Sequence, residues 1–543
     1  MNAIKTTKMT NYRWIICAML FLATTVNYMD RQVLSLTFPG EGGIQEEFGW
    51  SDEDYGTITA YFSIIYALCM LFAGKFVDWM GTSKGYLWAI FVWSTGAVLH
   101  AFCGIATSGI ATGEWLVGFE GAKECLRAFA ASGAADAALT ISTVSVWLFL
   151  GARCILALGE AGNFPAAIKV TAEYFPKKDR AYATAIFNSG ASVGALIAPF
   201  TIPVLAKFFG WEMAFIVIGA LGYVWMGFWI WLYKKPNENP KVNEAELTYI
   251  NQDADTDSDP KDANDDGLSI SFLNCFTYRQ TWSFIVGKFM TDGVWWFFLF
   301  WTPAYLKSQF EINPTDVEGM VLIFVLYLIT MLSILGGKLP TYFINHGMNP
   351  YAGRMRAMLI FAFFPLLGLV AQPLGGAFNT PWFPIILIGI LGAAHQSWSA
   401  NIFSTIGDMF PKSTIATITG IGGMAGGIGS FLINKGSGTL FSFAAGSFSY
   451  KGQIYEINRA NIEQITGKTL SETPLKLNEM TELMVNKVGE LGGVITEMPM
   501  HALGFYGKPA GYMIIFCICA VAYLVGWIIM KALVPKYKPV VVE

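Results

Sequence analysis

Long apolar runs constrain this chain more than any other feature. A helix needs about 20 apolar residues to cross a bilayer core, where only helices and closed barrels satisfy their backbone polar groups. The sequence therefore predicts an all-α integral membrane protein with twelve transmembrane helices. The predicted spans are 14–38, 54–74, 85–106, 141–165, 181–204, 211–233, 281–306, 318–338, 355–375, 381–405, 415–434 and 511–533.

The composition excludes several other classes of protein. Charged residues make up 14% of the 543 residues, against about 25% in an average globular protein, which excludes a soluble enzyme or a disordered chain. A net charge of −4 provides no basic surface for nucleic acid. The eight cysteines include no CxxC pair and only four histidines occur, so we expect no metal site and no disulfide framework.

The positive charges predict the orientation. The first run follows Lys5, Lys8 and Arg13, as a signal peptide would, but it is too long for one and contains Asp30 and Arg31. We therefore expect it to be retained as a span. Lys and Arg are concentrated in the short loops on the side of the two termini. Because basic loops remain in the cytoplasm, both termini are predicted to be cytoplasmic.

The spans divide into two groups of six. Residues 1–235 and 281–543 form the predicted halves, and the acidic segment 236–280 is the predicted cytoplasmic linker. The motif EYFPK at 173–177 recurs as DMFPK at 408–412, in the same position of each half. Such a parallel six-span repeat, with a site between the halves, is typical of transporters. The same alignment places Glu160 opposite His395 and Asn163 opposite Trp398.

Three segments outside the spans have less certain roles. Residues 262–267 match the first half of a calcium loop, but Leu273 replaces the glutamate that closes such a loop. The predicted topology places insertions at about 107–140 and 438–509 on the outside. The second insertion is amphipathic and is expected to form a small cap, and neither insertion has a catalytic spacing.

Four charged residues in spans one and four are candidates for function: Asp30, Arg31, Arg153 and Glu160. A charge at the bilayer centre costs about 2.5–3.5 kcal/mol on insertion scales. Neighbouring helix residues point about 100° apart, so Asp30 and Arg31 need partners on other helices. Protonation of either carboxylate would leave a positive cavity for an organic anion, whereas a static salt-bridge network is the structural alternative.

Two further spans carry polar or aromatic candidates. Span seven has a Lys288–Asp292 pair four residues apart, followed by Trp295 and Trp296, which line either a sugar cavity or the core. Polar groups in span ten, which favour a cavity over contacts between helices, are His395, Gln396, Trp398, Ser399 and Asn401. Weaker candidates are Tyr28, Tyr66 and Asn188.

These residues resemble the major facilitator superfamily. Gly74, Asp78 and Gly81 resemble its loop motif between spans two and three, which has a gating role in the family. More specifically, four strings are similar to the anion:cation symporter family, and the last two are most similar to bacterial hexuronate transporters. They are NYMDR at 27–31, the segment 153–165, DGVWWF at 292–297 and HQSWSAN at 395–401.

The resemblance implies a major facilitator fold, with twelve helices in two pseudo-symmetric halves, and import of a hexuronate by proton-coupled symport. It implies an inner-membrane location and no cofactor other than the coupling proton. Asp30 and Glu160 would carry protons, Arg31 would bind the substrate carboxylate, and Arg153 would balance charge. Hydroxyl contacts would come from Tyr28, Trp296, His395, Gln396 and Asn401.

Other functions remain open from the sequence. Another organic anion, such as a hexonate like galactonate or a dicarboxylate, would use the same charges. A sensor with a transporter fold could signal through the acidic linker, and deletion of 240–270 would distinguish it from a transporter. An enzyme is not expected, because the 438–509 insertion has no pair of catalytic carboxylates and no nucleophile with a base. We expect a monomer that binds a small carboxylate.

Overall fold

The computed structural model describes residues 9–40, 42–132, 134, 136–252, 271–336, 338–410, 412–467, 470 and 477–540. The calcium-like segment 262–267 lies outside the described residues. The first half forms α1 (Arg13–Thr37), α2 (Ile44–Phe48), α3 (Asp52–Met80), α4 (Thr82–Ala101), α5 (Cys103–Thr112), α6 (Phe119–Ala131), α7 (Ala137–Glu160), α8 (Asn163–Tyr174), α9 (Lys177–Phe209) and α10 (Trp211–Leu232).

The rest of the chain adds twelve helices and five strands within the described residues. The helices are α11 (Glu244–Ile250), α12 (Arg279–Phe310), α13 (Val317–Thr330), α14 (Ser333–Gly336), α15 (Lys338–Asn345), α16 (Pro350–Phe363), α17 (Gly368–Phe378), α18 (Trp382–Met409), α19 (Lys412–Ala445), α20 (Arg459–Thr466), α21 (Leu477–Glu490) and α22 (Lys508–Leu533). The strands are β1 (Ser447–Tyr450), β2 (Gln453–Glu456), β3 (Val494–Glu497), β4 (His501–Ala502) and β5 (Phe505–Tyr506).

Every predicted span lies on these helices. Among the described residues, eight helical segments are long and apolar enough to cross a membrane, and nine if α4 and α5, bent by 51°, count as one span. The other three predicted spans lie on α1, α12 and α19, which fall outside this criterion. These three helices carry charged, aromatic or glycine residues where helices pack closely, so their lower apolarity reflects their position inside the bundle.

Glycines bring the helices of each half into close contact. A Cβ atom on Gly190 or Gly194 of α9 would lie 2.5 Å from a backbone oxygen of α1. In the second half, a Cβ on Gly429 of α19 would lie 2.2 Å from the carbonyl oxygen of Phe289 on α12. Small residues four apart allow such backbone approach in membranes. These glycines therefore allow α9 to pack closely on α1 and α19 to pack closely on α12.

The two halves meet along α3 and α19. A Cβ on Gly56 would lie 2.7 Å from the carbonyl oxygen of Asn434, so this contact also depends on a glycine. Lys435 Nζ lies 2.9 Å from Glu53 Oε1. Both contacts lie at the end of the bundle away from the two termini, and they close that end.

Lys508 strengthens the same closed end. Its Nζ lies 2.7 Å from Asp52 Oδ2 in the first half and 3.1 Å from Glu456 Oε1 in β2. Asp52 begins α3, which is capped by Ser51, whose hydroxyl accepts a hydrogen bond from the backbone N–H of Asp54. The start of α3 is thereby fixed, and a single ammonium group joins both halves.

The second insertion folds as a small α/β cap. Antiparallel strands in the order β2–β1–β3 pack against α20 and α21 around Phe448, Ile457, Ile462 and Val488. Helix α19 continues to Ala445, so the cap begins after that residue rather than at 438. The expected cap therefore exists and has its own small core.

The linker is ordered at its start. Glu246 of α11 accepts hydrogen bonds from the backbone N–H groups of Tyr12 and Arg13 and pairs with the Arg13 guanidinium at 3.1 Å. Burial opposes its ionisation, but these bonds and one from Thr10 together lower the pKa of Glu246. Since Glu246 anchors the start of α1, a deletion that tests the linker should spare the residues before 253.

The first insertion packs beside α2 and α10. Lys123 Nζ of α6 lies 3.1 Å from Glu212 Oε1, and Trp211 Nε1 donates a 2.7 Å hydrogen bond to Glu47 Oε2. Burial raises the pKa of Glu47 to about 7, although the bond from Trp211 favours the charged form. Glu47 is therefore partly neutral at neutral pH.

We predict that Gly194→Ala lowers thermal stability, because the new methyl group would displace α9 from α1. Overpacking of this kind costs about 1–3 kcal/mol. The measurement is the apparent melting temperature of purified protein in detergent. Gly151→Ala is the matched control, since a Cβ there meets nothing within 4 Å, and its melting temperature should not fall. Equal melting temperatures for the two variants would contradict the packing argument.

We predict that the stability of the wild type falls as pH rises from about 4.5 to about 7 because of Glu47. In this range the unfolded chain loses the Glu47 proton while the folded state keeps it, so unfolding is favoured, and above about pH 7 the loss is complete. The advantage of Glu47→Gln over the wild type in melting temperature should therefore be larger at pH 8 than at pH 4. Glu46→Gln serves as an exposed control. A wild type and Glu47→Gln with parallel pH profiles would refute this prediction.

Candidate functional site

The four predicted intramembrane charges meet where α1 contacts α7. Helix α7 ends at Glu160, and the chain turns before α8 begins. Arg31 Nε lies 2.7 Å from Glu160 Oε2, and both side chains are buried. Of the two charged residues of α1, Arg31 therefore pairs with a carboxylate on another helix.

Arg153 links the two helices through the backbone. Its Nη2 donates a 3.0 Å hydrogen bond to the carbonyl oxygen of Arg31, and its guanidinium lies 4.7 Å from the ring centroid of Phe62. Phe62 belongs to α3, so three helices enclose this cation. Arg153 is fully buried.

Several polar atoms of the cluster have no hydrogen-bond partner among the described residues. They are both carboxylate oxygens of Asp30, Nη2 of Arg31, Nε and Nη1 of Arg153, and Oε1 of Glu160. Buried polar groups are usually hydrogen-bonded. The cluster therefore has unused capacity to bind a proton and an anionic group.

Aromatic rings surround the Arg31 guanidinium. The ring centroids of Tyr28, Tyr66 and Trp296 lie 5.1, 4.5 and 5.3 Å from its central carbon. Trp296 belongs to α12 of the second half, while the other two rings belong to the first half. Because cations are attracted to aromatic faces, this cage orients Arg31 at the contact between the halves.

A second cluster lies in the other half. His395 Nδ1 lies 2.7 Å from the Tyr523 hydroxyl, and its ring stacks on Trp295 at 5.5 Å. Trp398 is fully buried and packs edge-on against Tyr523 at 5.6 Å. Asn401 donates back to the carbonyl oxygen of Ser397 on its own helix at 2.8 Å.

The remaining predicted residues lie outside these clusters. Asn188 of α9 and Gln396 of α18 are exposed. Gly81 has a positive φ of 82° and forms the turn from α3 to α4, whereas a Cβ on Gly74 would meet nothing within 4 Å. Asp78 lies in α3, but its side chain is outside the described part of the structure.

Sequence reasoning missed Tyr523 and Phe62. Tyr523 positions His395, and its only signal in the sequence is a hydroxyl within an otherwise apolar run. Phe62 covers Arg153, but nothing distinguishes it from other span phenylalanines. The Lys288–Asp292 pair was anticipated from its spacing, and the structure places Lys288 Nζ 2.7 Å from Asp292 Oδ2.

Comparisons with known proteins agree with this architecture. The family model described as Major Facilitator Superfamily matches residues 20–433. The hexuronate transporter of Escherichia coli K12 is 27% identical over 443 residues, which cover 81% of this chain and 89% of that protein. The probable galactarate/D-glucarate transporter of the same strain is 25% identical over 426 residues, which cover 77% and 86%.

A solved structure has the same fold. It is an inward-facing, occupied bacterial homologue of the human lysosomal transporter Spinster, with a TM-score of 0.58, 17% identity and coverage of 96% of this chain and 97% of that one. The chain belongs to the Major Facilitator Superfamily, so it is a multi-pass membrane transporter and not an enzyme. The predicted all-α major facilitator fold and the superfamily are confirmed.

Proposed function

We propose that this protein imports a hexuronate together with protons by alternating access. The observation that carries the proposal is the buried Arg31–Glu160 pair, which joins a permanent cation to a carboxyl group that can be protonated. The two relatives named above favour a sugar acid as the substrate. We further propose a bacterial inner-membrane location, cytoplasmic termini and a monomer that uses no cofactor except the coupling proton.

Competition for Arg31 couples the proton to the substrate. Glu160 occupies the Nε side of the guanidinium, while Nη2 has no hydrogen-bond partner among the described residues. When a proton neutralises Glu160, its hold on Arg31 weakens, and a substrate carboxylate can take both donors as a bidentate ligand. When Glu160 loses the proton on the inside, it competes for Arg31 and favours substrate release.

Asp30 is the alternative site for the coupling proton in this proposal, so that one proton neutralises either Glu160 or Asp30. Its carboxylate is 1% exposed and lacks a hydrogen-bond partner among the described residues. An ionised carboxylate in such a place is costly, so protonation there relieves charge. The positive charge of Arg153 balances Asp30 or Glu160 when either is ionised, which keeps the cluster neutral between transport steps.

Alternating access requires the closed end of the bundle to open. The Glu53–Lys435 and Asp52–Lys508 ion pairs join the halves at the end away from the termini. With cytoplasmic termini, that end faces outside. These pairs must separate for substrate to enter, and the rocking halves would also move Trp296 relative to Arg31.

Uptake into proteoliposomes tests the proposed function. Labelled glucuronate and galacturonate are offered with and without an inward proton gradient. Accumulation above equilibrium that depends on the gradient supports proton symport of hexuronates. Uptake that does not depend on the gradient would overturn the proposed proton coupling. Transport of hexonates or dicarboxylates, with no transport of either sugar acid, would overturn the proposed substrate.

We predict that Arg31→Ala abolishes uptake of the sugar acid, because it removes the guanidinium that lies beside Trp296 of the second half and whose Nη2 has no hydrogen-bond partner among the described residues. Loss of a charged hydrogen-bond partner of a bound anion costs about 2–5 kcal/mol. The measurement is initial uptake of labelled hexuronate at equal amounts of reconstituted protein. Arg279→Ala, which removes an exposed arginine at the start of α12, is the control and should retain wild-type rates.

We predict that Glu160→Gln loses gradient-driven accumulation but retains exchange, because glutamine keeps the shape of the side chain without a titratable proton. Counterflow into liposomes preloaded with unlabelled substrate measures the exchange. Glu46→Gln, which changes an exposed carboxyl outside the spans, is the matched control and should still accumulate substrate. Normal gradient-driven accumulation by Glu160→Gln would remove Glu160 from the coupling mechanism.

A further inference from the structure

Asp292 lies close to the proposed substrate cation without contacting it. Residues 288, 292 and 296 are spaced four apart on α12, so their side chains form one stripe with about 5–6 Å between successive Cβ atoms. Trp296 at one end of this stripe covers the Arg31 guanidinium at 5.3 Å. Asp292 is thus one helical turn from the ring that forms part of the Arg31 cage.

The Asp292 carboxylate is held in a fixed place. Its Oδ2 pairs with Lys288 Nζ at 2.7 Å, and a Cβ on Gly426 of α19 would lie 2.3 Å from the same oxygen. The glycine therefore leaves space that the carboxylate occupies. Lys288 Nζ also lies 4.4 Å from the ring centroid of Phe403 on α18, so the ammonium is fixed between three helices.

In the Lys288–Asp292 ion pair, the negative side chain is more exposed than the positive one. The Asp292 side chain is 13% exposed and that of Lys288 is 6% exposed. Lys288 is already neutralised by Asp292, so it has no free charge for an anion. A ligand that extends from Arg31 along the stripe would therefore meet a carboxylate before it meets the ammonium.

A count of charges gives the number of carboxylates that fit. The positive groups are Arg31, Arg153 and Lys288, and the negative groups are equal in number: Asp30, Glu160 and Asp292. One proton on Glu160 leaves a single positive charge, which one substrate carboxylate balances. A second carboxylate on the same ligand would be uncompensated and would lie near Asp292, where like charges repel.

We propose that Asp292 is a specificity residue that selects sugar acids with one carboxylate and excludes those with two. The inference rests on the proposed function, because it assumes that Arg31 binds the first carboxylate. Removal of the Asp292 charge would release Lys288, whose ammonium could then bind the second carboxylate of a dianion. Specificity here comes from repulsion of the wrong ligand as well as attraction of the right one.

The test is competition against labelled glucuronate uptake in proteoliposomes. Gluconate carries one carboxylate and glucarate carries two on the same six-carbon skeleton. In the wild type, glucarate should need a concentration at least about tenfold higher than gluconate for half-inhibition. In Asp292→Asn this ratio should fall by about tenfold, whereas Asp292→Glu should keep the wild-type preference.

Two further variants make the outcome specific. The double variant Lys288→Gln/Asp292→Asn should regain discrimination against glucarate, because the ammonium that would bind the dianion is gone. Glu490→Gln, which breaks a lysine–glutamate pair in the cap, should leave the ratio unchanged. If Asp292→Asn does not fold, the double variant and the wild-type ratio still test the idea, since a wild type that accepts both competitors equally overturns it.

Failure of this inference can be distinguished from failure of the proposed function. A wild type that takes up no glucuronate removes the proposed function. The other case is a wild type that takes up glucuronate and discriminates against glucarate. If Asp292→Asn then shows the same ratio of half-inhibiting concentrations, the role of Asp292 is removed and the transport function remains.

Discussion

The buried Arg31–Glu160 pair is the interaction on which the rest of the site depends. A cation inside a membrane protein needs a partner, and removal of one member of a buried pair costs about 3–5 kcal/mol. Glu160 meets this need from the end of α7, where the helix stops and the side chain faces α1. The rings of Tyr66 and Trp296 then cover the open faces of the cation. The proposed mechanism therefore places the control of charge and of access at one position.

The packing behind the site repeats in the two halves. Helix α1, which carries Arg31, is backed by the glycines of α9, and α12, which carries Asp292, is backed by the glycines of α19. These are spans one and five of the first half and spans seven and eleven of the second. Close backbone approach leaves each polar helix little freedom to shift against its neighbour, which would preserve the geometry of the ion pairs during the proposed rocking of the halves.

The sequence predicted the spans and the four intramembrane charges because apolar length and intramembrane charge are local properties of a chain. The sequence could not show which of these charges pair with each other, because pairing depends on how the helices cross. In the structure Arg31 pairs with Glu160, while Asp30 has no hydrogen-bond partner among the described residues. Tyr523 could not be predicted either, because the role of its hydroxyl depends on its contact with His395 in the folded protein. Gln396 and Asn188 illustrate the opposite case, in which polar residues in a span are exposed.

Some polar contacts lie within one half of the bundle and others join the two halves. Contacts of the second kind oppose the proposed opening of the closed end. Arg31–Glu160 and His395–Tyr523 each lie within one half, so the proposed rocking of the halves would leave them intact. The Asp52–Lys508 pair crosses the halves and would have to break in that motion. Lys508 would keep a partner, because Glu456 of the cap also pairs with it at 3.1 Å. In the proposed mechanism the cap thus supplies a second carboxylate that keeps the ammonium paired when Asp52 separates from it.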